Sequence, residues 1–234
     1  MAGENAQGGG VDGCPAGWVA VVLGAPGSAP GGSLAVAVTV AAALDGLPLT
    51  GVTGIDMPLG LLASGWRDAD LLARRALGRR GSTVFAIPPR PALEAPSYPA
   101  ANQACRQLTG QGLSVQAYGL RRKIAEAGQY RRRARAAGSA VRLYEVHPEL
   151  SFAALAGAPL TDSKHTPAGR AARRDLLRQA GITLPATVAG AAEHDLLDAA
   201  AIAWSARRIA AGQAVVLANP AQRADDGTEI AVRY

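Results

Sequence analysis

Residues 8–23 read GGGVDGCPAGWVAVVL and carry the strongest fold information in the chain. Apolar residues begin to alternate around Asp12, a Gly-Cys-Pro-Ala-Gly turn follows, and a second apolar run ends at Leu23. Pro15 presets φ and Gly17 tolerates positive φ, so both suit a turn. The stretch therefore predicts two strands joined by a tight turn, with the carboxylate of Asp12 at the end of the first strand.

The strand pattern continues beyond this hairpin. A third apolar run, SLAVAVTV, begins at residue 33, and the helix-like stretch AAALDGL begins at residue 41. The run VTGID ends at Asp56, and Pro58 stops this fourth strand. Three strands, a short helix and a fourth strand predict an α/β fold.

The rest of the chain is mainly helical. We predict helices over residues 66–80, 100–109, 114–137, 166–181 and 191–212, a proline-rich loop over 81–99, and a strand in VRLYEVHPE (141–149). Thr166 as N-cap, Pro167 at the first helical position and Gly181 after the last turn are typical helix boundaries. Because neither an internal repeat nor a long linker is visible, we expect one domain over residues 1–234.

Composition narrows the class of protein. Hydrophobic residues make up 49% of the 234 residues, which is typical of a globular protein. The two cysteines, Cys14 and Cys105, lie far apart and fit neither a zinc site nor a disulfide framework. With neither a signal peptide nor a membrane-length apolar run in view, we expect a cytoplasmic protein without a membrane partner. The net charge of +6 favours an anionic partner such as nucleic acid.

Five acids are candidates for chemistry, and we predict that they converge. Asp12 and Asp56 end the first and fourth strands, Glu145 lies late in a later strand, and Asp195 and Asp198 share one face of the last helix. Parallel strands bring their carboxyl ends to one sheet edge, where α/β proteins bind ligands. Clustered carboxylates repel one another, and oxygen-preferring cations such as Mg²⁺ relieve that repulsion.

Simpler interpretations exist for each acid taken alone. Asp12 and Asp56 each precede a turn, where an aspartate commonly accepts hydrogen bonds from backbone amides. Asp195 could only complement the helix dipole, and Glu145 could be an exposed strand residue. Asp198 is harder to explain in this way, because it lies among apolar residues where an unpaired acid is costly to bury.

Five motifs in order resemble a bacterial family of predicted nucleases with a ribonuclease H-like fold, domain-of-unknown-function family 429. These are VDGCPAGW (11–18), GIDMPLGL (54–61), GSTVFAIPPR (81–90), YEVHPELSF (144–152) and HDLLDAAAIAWSARRI (194–209). The last motif also looks like the final-helix motif of RuvC-type Holliday junction resolvases. The likeness extends from about residue 9 to the C-terminus.

The resemblance implies a central mixed five-stranded sheet in the order 3-2-1-4-5, flanked by helices, with a helical insertion at about residues 60–140. It further implies catalytic roles for Asp12, Asp56, Glu145, Asp195 and Asp198. Asp12, Asp56 and Asp198 are the expected metal ligands, and two Mg²⁺ or Mn²⁺ ions are the expected cofactors.

Further residues are candidates for substrate binding. The basic stretch containing Arg121, Arg122 and Lys123 could follow a phosphate backbone, although a solvated helix face is an equal alternative. Lys164 precedes a helix N-terminus, which attracts anions. The loop with Ser82, Thr83 and Arg90 could also contact substrate; these residues complete the predicted set.

The leading prediction is a metal-dependent nuclease that hydrolyses phosphodiester bonds in RNA or DNA. One alternative is an ATP-binding phosphotransfer protein or ATPase, since sugar kinases and actin-like ATPases share the ribonuclease H-like core and VDGCPAG resembles their first phosphate loop. A non-catalytic nucleic-acid binding protein is the other alternative. The sequence leaves the oligomeric state open, a homodimer included.

Overall fold

The computed structural model describes residues 7–24, 33–37, 39–47 and 51–234. Within these ranges one sheet has the order β3-β2-β1-β4-β5. Its strands are β1 (Gly8–Cys14), β2 (Gly17–Leu23), β3 (Ser33–Ala37), β4 (Val52–Ile55) and β5 (Arg142–Glu145). The first three strands form an antiparallel meander, and β4 and β5 run parallel to β1. The predicted α/β class, with a mixed sheet flanked by helices, is confirmed, and the strand order is the expected one.

Helices cover the sheet and fill the segment between β4 and β5. They are α1 (Val40–Asp45), α2 (Asp68–Leu77), α3 (Arg90–Leu93), α4 (Tyr98–Thr109), α5 (Val115–Gly119), α6 (Arg121–Ala136), α7 (Pro148–Ala156), α8 (Pro167–Gln179) and α9 (Glu193–Ala210). The Thr166 hydroxyl accepts a hydrogen bond from the Gly169 amide, which confirms Thr166 as the N-cap of α8. No helix of the described chain is both long and apolar enough to cross a membrane.

Three regions differ from the sequence prediction, and one of them is helix α7 (Pro148–Ala156), which begins inside the strand predicted over residues 141–149. The proline-rich stretch 81–99, expected to be a loop, contains the end of a 3₁₀ segment (Gly78–Thr83) and all of α3. Proline is compatible with α3 because Pro91 lies in its first turn, where the backbone amide has no partner within the helix. The chain also ends in an unpredicted antiparallel hairpin, β6 (Val216–Arg223) and β7 (Glu229–Arg233).

Helix α9 packs directly on the backbone of β1 and β4. A Cβ added at Gly10 would lie 2.0 Å from the carbonyl oxygen of Ala199, and one added at Gly8 would lie 2.4 Å from that of Ala203. On β4, a Cβ at Gly54 would lie 2.6 Å from the side chain of Ile202. Only glycine permits this close approach, so the glycines of these strands set the position of α9.

The other face of the sheet packs on α1 and α6. Val11, Trp18 and Ile55 lie in the core on this side together with Ile124 of α6. Glu126 of α6 accepts hydrogen bonds from the Trp18 indole (3.1 Å) and from the Val40 amide (2.6 Å). This carboxylate therefore ties α6 both to the hairpin and to the start of α1.

Replacing Gly10 with alanine tests the contact between α9 and β1. Because its new methyl group meets backbone atoms rather than a movable side chain, Gly10→Ala should lower the free energy of unfolding by about 1–3 kcal/mol or more. Urea denaturation measures this change. Gly119→Ala is the matched control, since a Cβ there meets no described atom within 4 Å, and it should leave stability unchanged or slightly higher. Equal stability of the two variants would contradict the packing argument.

Candidate functional site: a buried carboxylate cluster

The register of the sheet brings Asp12 and Asp56 together. Val11 is paired with Ile55 across the parallel strands, and the Asp56 amide donates to the Val11 carbonyl at 3.0 Å. Side chains alternate along a strand, so Asp12 lies on the same face as Gly10, toward α9. β1 continues to Cys14, so Asp12 lies within the strand rather than at its end as predicted.

Helix α9 supplies two more acids to this edge. Asp198 immediately precedes Ala199, whose carbonyl contacts β1, and Asp195 lies one turn earlier in the helix. Asp12, Asp56 and Asp195 line a pocket of about 470 Å³, and Asp198 is fully buried beneath it. The structure thus brings four of the five predicted acids to one place, and we call this set the aspartate cluster.

Burial and like charge make the cluster electrostatically costly. Burial raises the pKa of Asp12 well above its usual value, and the charges of Asp56 and Asp198 raise it further. Burial likewise raises the pKa of Asp56, and it raises the pKa of Asp198 to about 6 against the opposing effect of Lys164. Perturbed acids in a pocket are characteristic of functional sites.

Lys164 is the cation closest to the most buried acid. Its ammonium group lies 2.5 Å from Asp198 Oδ2. Burial by itself would lower the pKa of Lys164, but the charges of Asp198 and Asp12 outweigh this effect and raise the pKa above its ordinary value. The lysine therefore stays charged and partly neutralises the cluster.

Two buried carboxylate oxygens of the cluster have no hydrogen-bond partner in the described part of the chain. These buried atoms are Asp195 Oδ2 and Asp198 Oδ1, whereas Asp12 Oδ1 accepts a hydrogen bond of 2.7 Å from the Gly13 amide. Unpartnered oxygens on buried aspartates fit a hard cation. As the side chains stand, however, no group of three or more His, Cys, Asp or Glu residues within the described ranges is arranged to hold a metal ion.

Glu145 lines the same pocket but does not join the aspartate cluster. It is paired with Ile55, whose side chain faces α1 and α6, so alternation directs Glu145 to the side of the sheet opposite Asp56. There it forms an ion pair with the fully buried Arg67 and accepts a hydrogen bond from the Leu59 amide. Burial raises the pKa of Glu145 to about 7 despite the nearby guanidinium. These contacts are those of a structural ion pair.

The predicted substrate-binding residues separate into two groups. Thr83, Lys123 and Lys164 line the pocket of the aspartate cluster, and Ser82 is exposed beside it. The ammonium of Lys123 donates to the Gly17 carbonyl and so holds the β1–β2 turn.

Arg90, Arg121 and Arg122 instead line a second groove of about 810 Å³, which shares Pro58 with the first pocket. Arg90 forms an ion pair of 2.6 Å with Asp225, and the guanidinium of Arg121 lies 4.1 Å from the ring centre of Tyr118. We call this second groove the arginine groove.

Sequence reasoning missed part of the pocket. Arg80 lines it and pairs with Glu149 at 3.4 Å, and Glu149 is itself held at 2.7 Å by the fully buried Arg173. His147 also lines the pocket. Arg80 Nε and His147 Nδ1 are buried and have no hydrogen-bond partner among the described residues. His147 and Glu149 lie within the motif YEVHPELSF, but Arg80 and Arg173 come from distant segments, so no local spacing joins them to it.

Fold and site together define an α/β protein with a buried carboxylate cluster at the carboxyl ends of its parallel strands. The chain belongs to the family described as Protein of unknown function (DUF429), whose family model matches residues 10–223. This match confirms the family resemblance found in the sequence. Neither a curated protein nor a solved structure matches the chain.

The raised pKa of Glu145 predicts how stability depends on pH. Burial favours the neutral form of Glu145, so its contribution to stability is complete at pH values below its ordinary pKa. This contribution is lost as the pH rises through the folded-state pKa of about 7, because the side chain then becomes charged. Without metal, the free energy of unfolding should fall between about pH 4.5 and about pH 7, by up to about 1.4 kcal/mol per pH unit for one such group.

Glu145→Gln removes this titration, so its stability should change less steeply with pH in urea denaturation series. Asp226→Asn is the control, because a hydrogen bond from Thr228 lowers the pKa of Asp226 and it does not titrate in this range. Identical slopes for the parent and Glu145→Gln would be evidence against the raised pKa.

Proposed function

We propose that the protein is a metal-dependent nuclease with a ribonuclease H-like fold that hydrolyses phosphodiester bonds in nucleic acid. The observation that carries this proposal is the aspartate cluster, in which Asp12, Asp195 and Asp198 are buried and Asp56 is half-buried. Two buried oxygens of the cluster lack partners among the described residues. A cluster of this kind is costly to fold without a function. Supporting the fold assignment, the strand order β3-β2-β1-β4-β5 is the one that the resemblance implies.

In this proposal, Asp12, Asp56 and Asp198 would hold Mg²⁺ or Mn²⁺, which requires their side chains to move from the arrangement described above. When bound, such an ion supplies Lewis-acid activation of water and stabilisation of negative charge at phosphate oxygens. The chain's own cations then bind the phosphate. Lys164 and Arg80 line the same pocket as the acids, and the unpartnered Arg80 Nε is a donor for a phosphate oxygen.

The arginine groove supports nucleic acid as the partner. It adjoins the pocket at Pro58 and is lined by Arg90, Arg121, Arg122 and Arg132. Together with the net charge of +6, this lining suits a phosphate backbone that extends beyond the scissile bond. We further propose a cytoplasmic location, which the free cysteines Cys14 and Cys105 support.

Metal binding tests the proposed site directly. Mn²⁺ should raise the melting temperature of the parent, because it binds only the folded cluster, and at a hundred times its dissociation constant the gain is about 2.7 kcal/mol. Asp12→Asn keeps the shape of the side chain and should lose most of that rise. Cleavage of labelled single- and double-stranded RNA and DNA with Mn²⁺ should be lost in the same variant.

The matched control is Glu145→Gln, which changes an acid that lines the same pocket but faces the other side of the sheet. It should keep the Mn²⁺-induced rise in melting temperature, because Glu145 pairs with Arg67 and lies outside the aspartate cluster. A parent without a rise would refute the metal site. Metal-dependent ATP hydrolysis without cleavage would favour the phosphotransfer alternative, and binding of nucleic acid without cleavage the non-catalytic one.

Salt dependence tests the arginine groove. Each phosphate contact contributes about 0.7–0.9 to the slope of log affinity against log salt, so Arg121→Gln with Arg122→Gln should flatten the slope by up to twice this amount. Fluorescence anisotropy at several salt concentrations measures it. Arg178→Gln is the control, since this α8 arginine is 71% exposed and lines neither the pocket of the aspartate cluster nor the arginine groove. An unchanged slope in the double variant would mean that these arginines form only a solvated face.

A further inference from the structure

Lys164 lies among the acids to which the preceding section assigns the metal. Its ammonium contacts Asp198 Oδ2 at 2.5 Å, and the Asp198 side chain is completely buried while that of Lys164 is 28% exposed. We propose that Lys164 takes the place of one of the two expected metal ions, so that the aspartate cluster binds a single divalent cation beside a permanent ammonium group. This inference rests on the proposed function and specifies its cofactor.

The segment that carries Lys164 is held in place on both sides. The Ser163 carbonyl accepts hydrogen bonds from the Thr166 amide and hydroxyl, and a Cβ added at Gly169 would lie 2.0 Å from this carbonyl. On the other side, the rings of His165 and His194 pack edge to face at 4.8 Å, which joins the segment to the start of α9. Lys164 is therefore positioned by its neighbours, unlike a mobile surface lysine.

The two oxygens of Asp198 have different environments. Oδ2 contacts the ammonium, whereas Oδ1 is buried and lacks a partner in the described residues. A first cation can use Oδ1 without displacing the lysine. A second cation at Oδ2 would have to displace the ammonium of Lys164. The contact between the cation and Oδ2 would then form at the cost of the ion pair between Lys164 and Asp198.

The charge of Lys164 also acts on the rest of the cluster. Its ammonium contacts Asp198, and Lys164 lines the same pocket as Asp12 and Asp56. In two-metal sites, two cations stabilise the attacking and leaving oxygens of an in-line displacement. An ammonium group has three donors, so Lys164 can keep its contact with Asp198 and still donate a hydrogen bond to a phosphate oxygen in the pocket that it lines.

Counting bound ions tests this inference. Isothermal titration of Mn²⁺ into the metal-free full-length parent should give one ion per chain, and its electron paramagnetic resonance spectrum should be that of an isolated Mn²⁺. Lys164→Met removes the ammonium while keeping much of the side-chain volume. This variant should bind two ions per chain and show the spectrum of a magnetically coupled pair.

Two further variants serve as controls. Lys164→Arg keeps the charge and should bind one ion, and it also covers the case in which Lys164→Met does not fold. Lys123→Met removes the other lysine that lines the pocket and should leave the count at one.

Each outcome separates the inference from the proposed function. Two ions in the parent, or one ion in a folded Lys164→Met, would overturn the inference and leave the nuclease proposal intact. Binding of two ions by Lys164→Arg would also overturn it. A parent that binds no Mn²⁺ would overturn the proposed function itself.

Discussion

The candidate site depends on one packing constraint, the contact between helix α9 and the bare backbone of β1 and β4. Gly8 and Gly10 let the backbone of α9 approach β1 directly, and Gly54 leaves room on β4 for the side chain of Ile202. The carbonyl of Ala199 would meet a Cβ at Gly10, and Asp198 immediately precedes Ala199. The close approach of α9 to β1 therefore brings the carboxylate of Asp198 beside the strand ends. A larger residue at these positions would push α9 outward and separate the acids of the helix from those of the strands.

This packing creates an electrostatic cost that the fold only partly offsets. Four aspartates are brought together, and burial and mutual repulsion raise the pKa of Asp12 well above its usual value. Lys164 neutralises part of the charge, yet Asp195 Oδ2 and Asp198 Oδ1 remain without partners in the described chain. Natural sequences break local stability rules mainly where function requires it, which is why we place the function here.

The acids that looked equivalent in the sequence have different surroundings in the structure. Asp56 and Glu145 both occur at the ends of parallel strands, but one lies toward α9 and the other pairs with Arg67 on the opposite side. The two lysines that line the pocket also have different contacts. Lys164 contacts Asp198, whereas Lys123 donates a hydrogen bond to the Gly17 carbonyl in the β1–β2 turn. Residue type and strand position alone do not distinguish these roles.

The sequence by itself determined the α/β class, the hairpin of residues 8–23, most helix positions and the family, because turn residues, caps and apolar periodicity act locally. It also identified the acids that cluster. Only the tertiary structure decided that Glu145 pairs with Arg67, that Lys164 pairs with Asp198, and that Arg80 and His147 line the pocket. These facts depend on strand register and on the contact of α9 with the sheet, which join residues far apart in the chain and leave no local pattern.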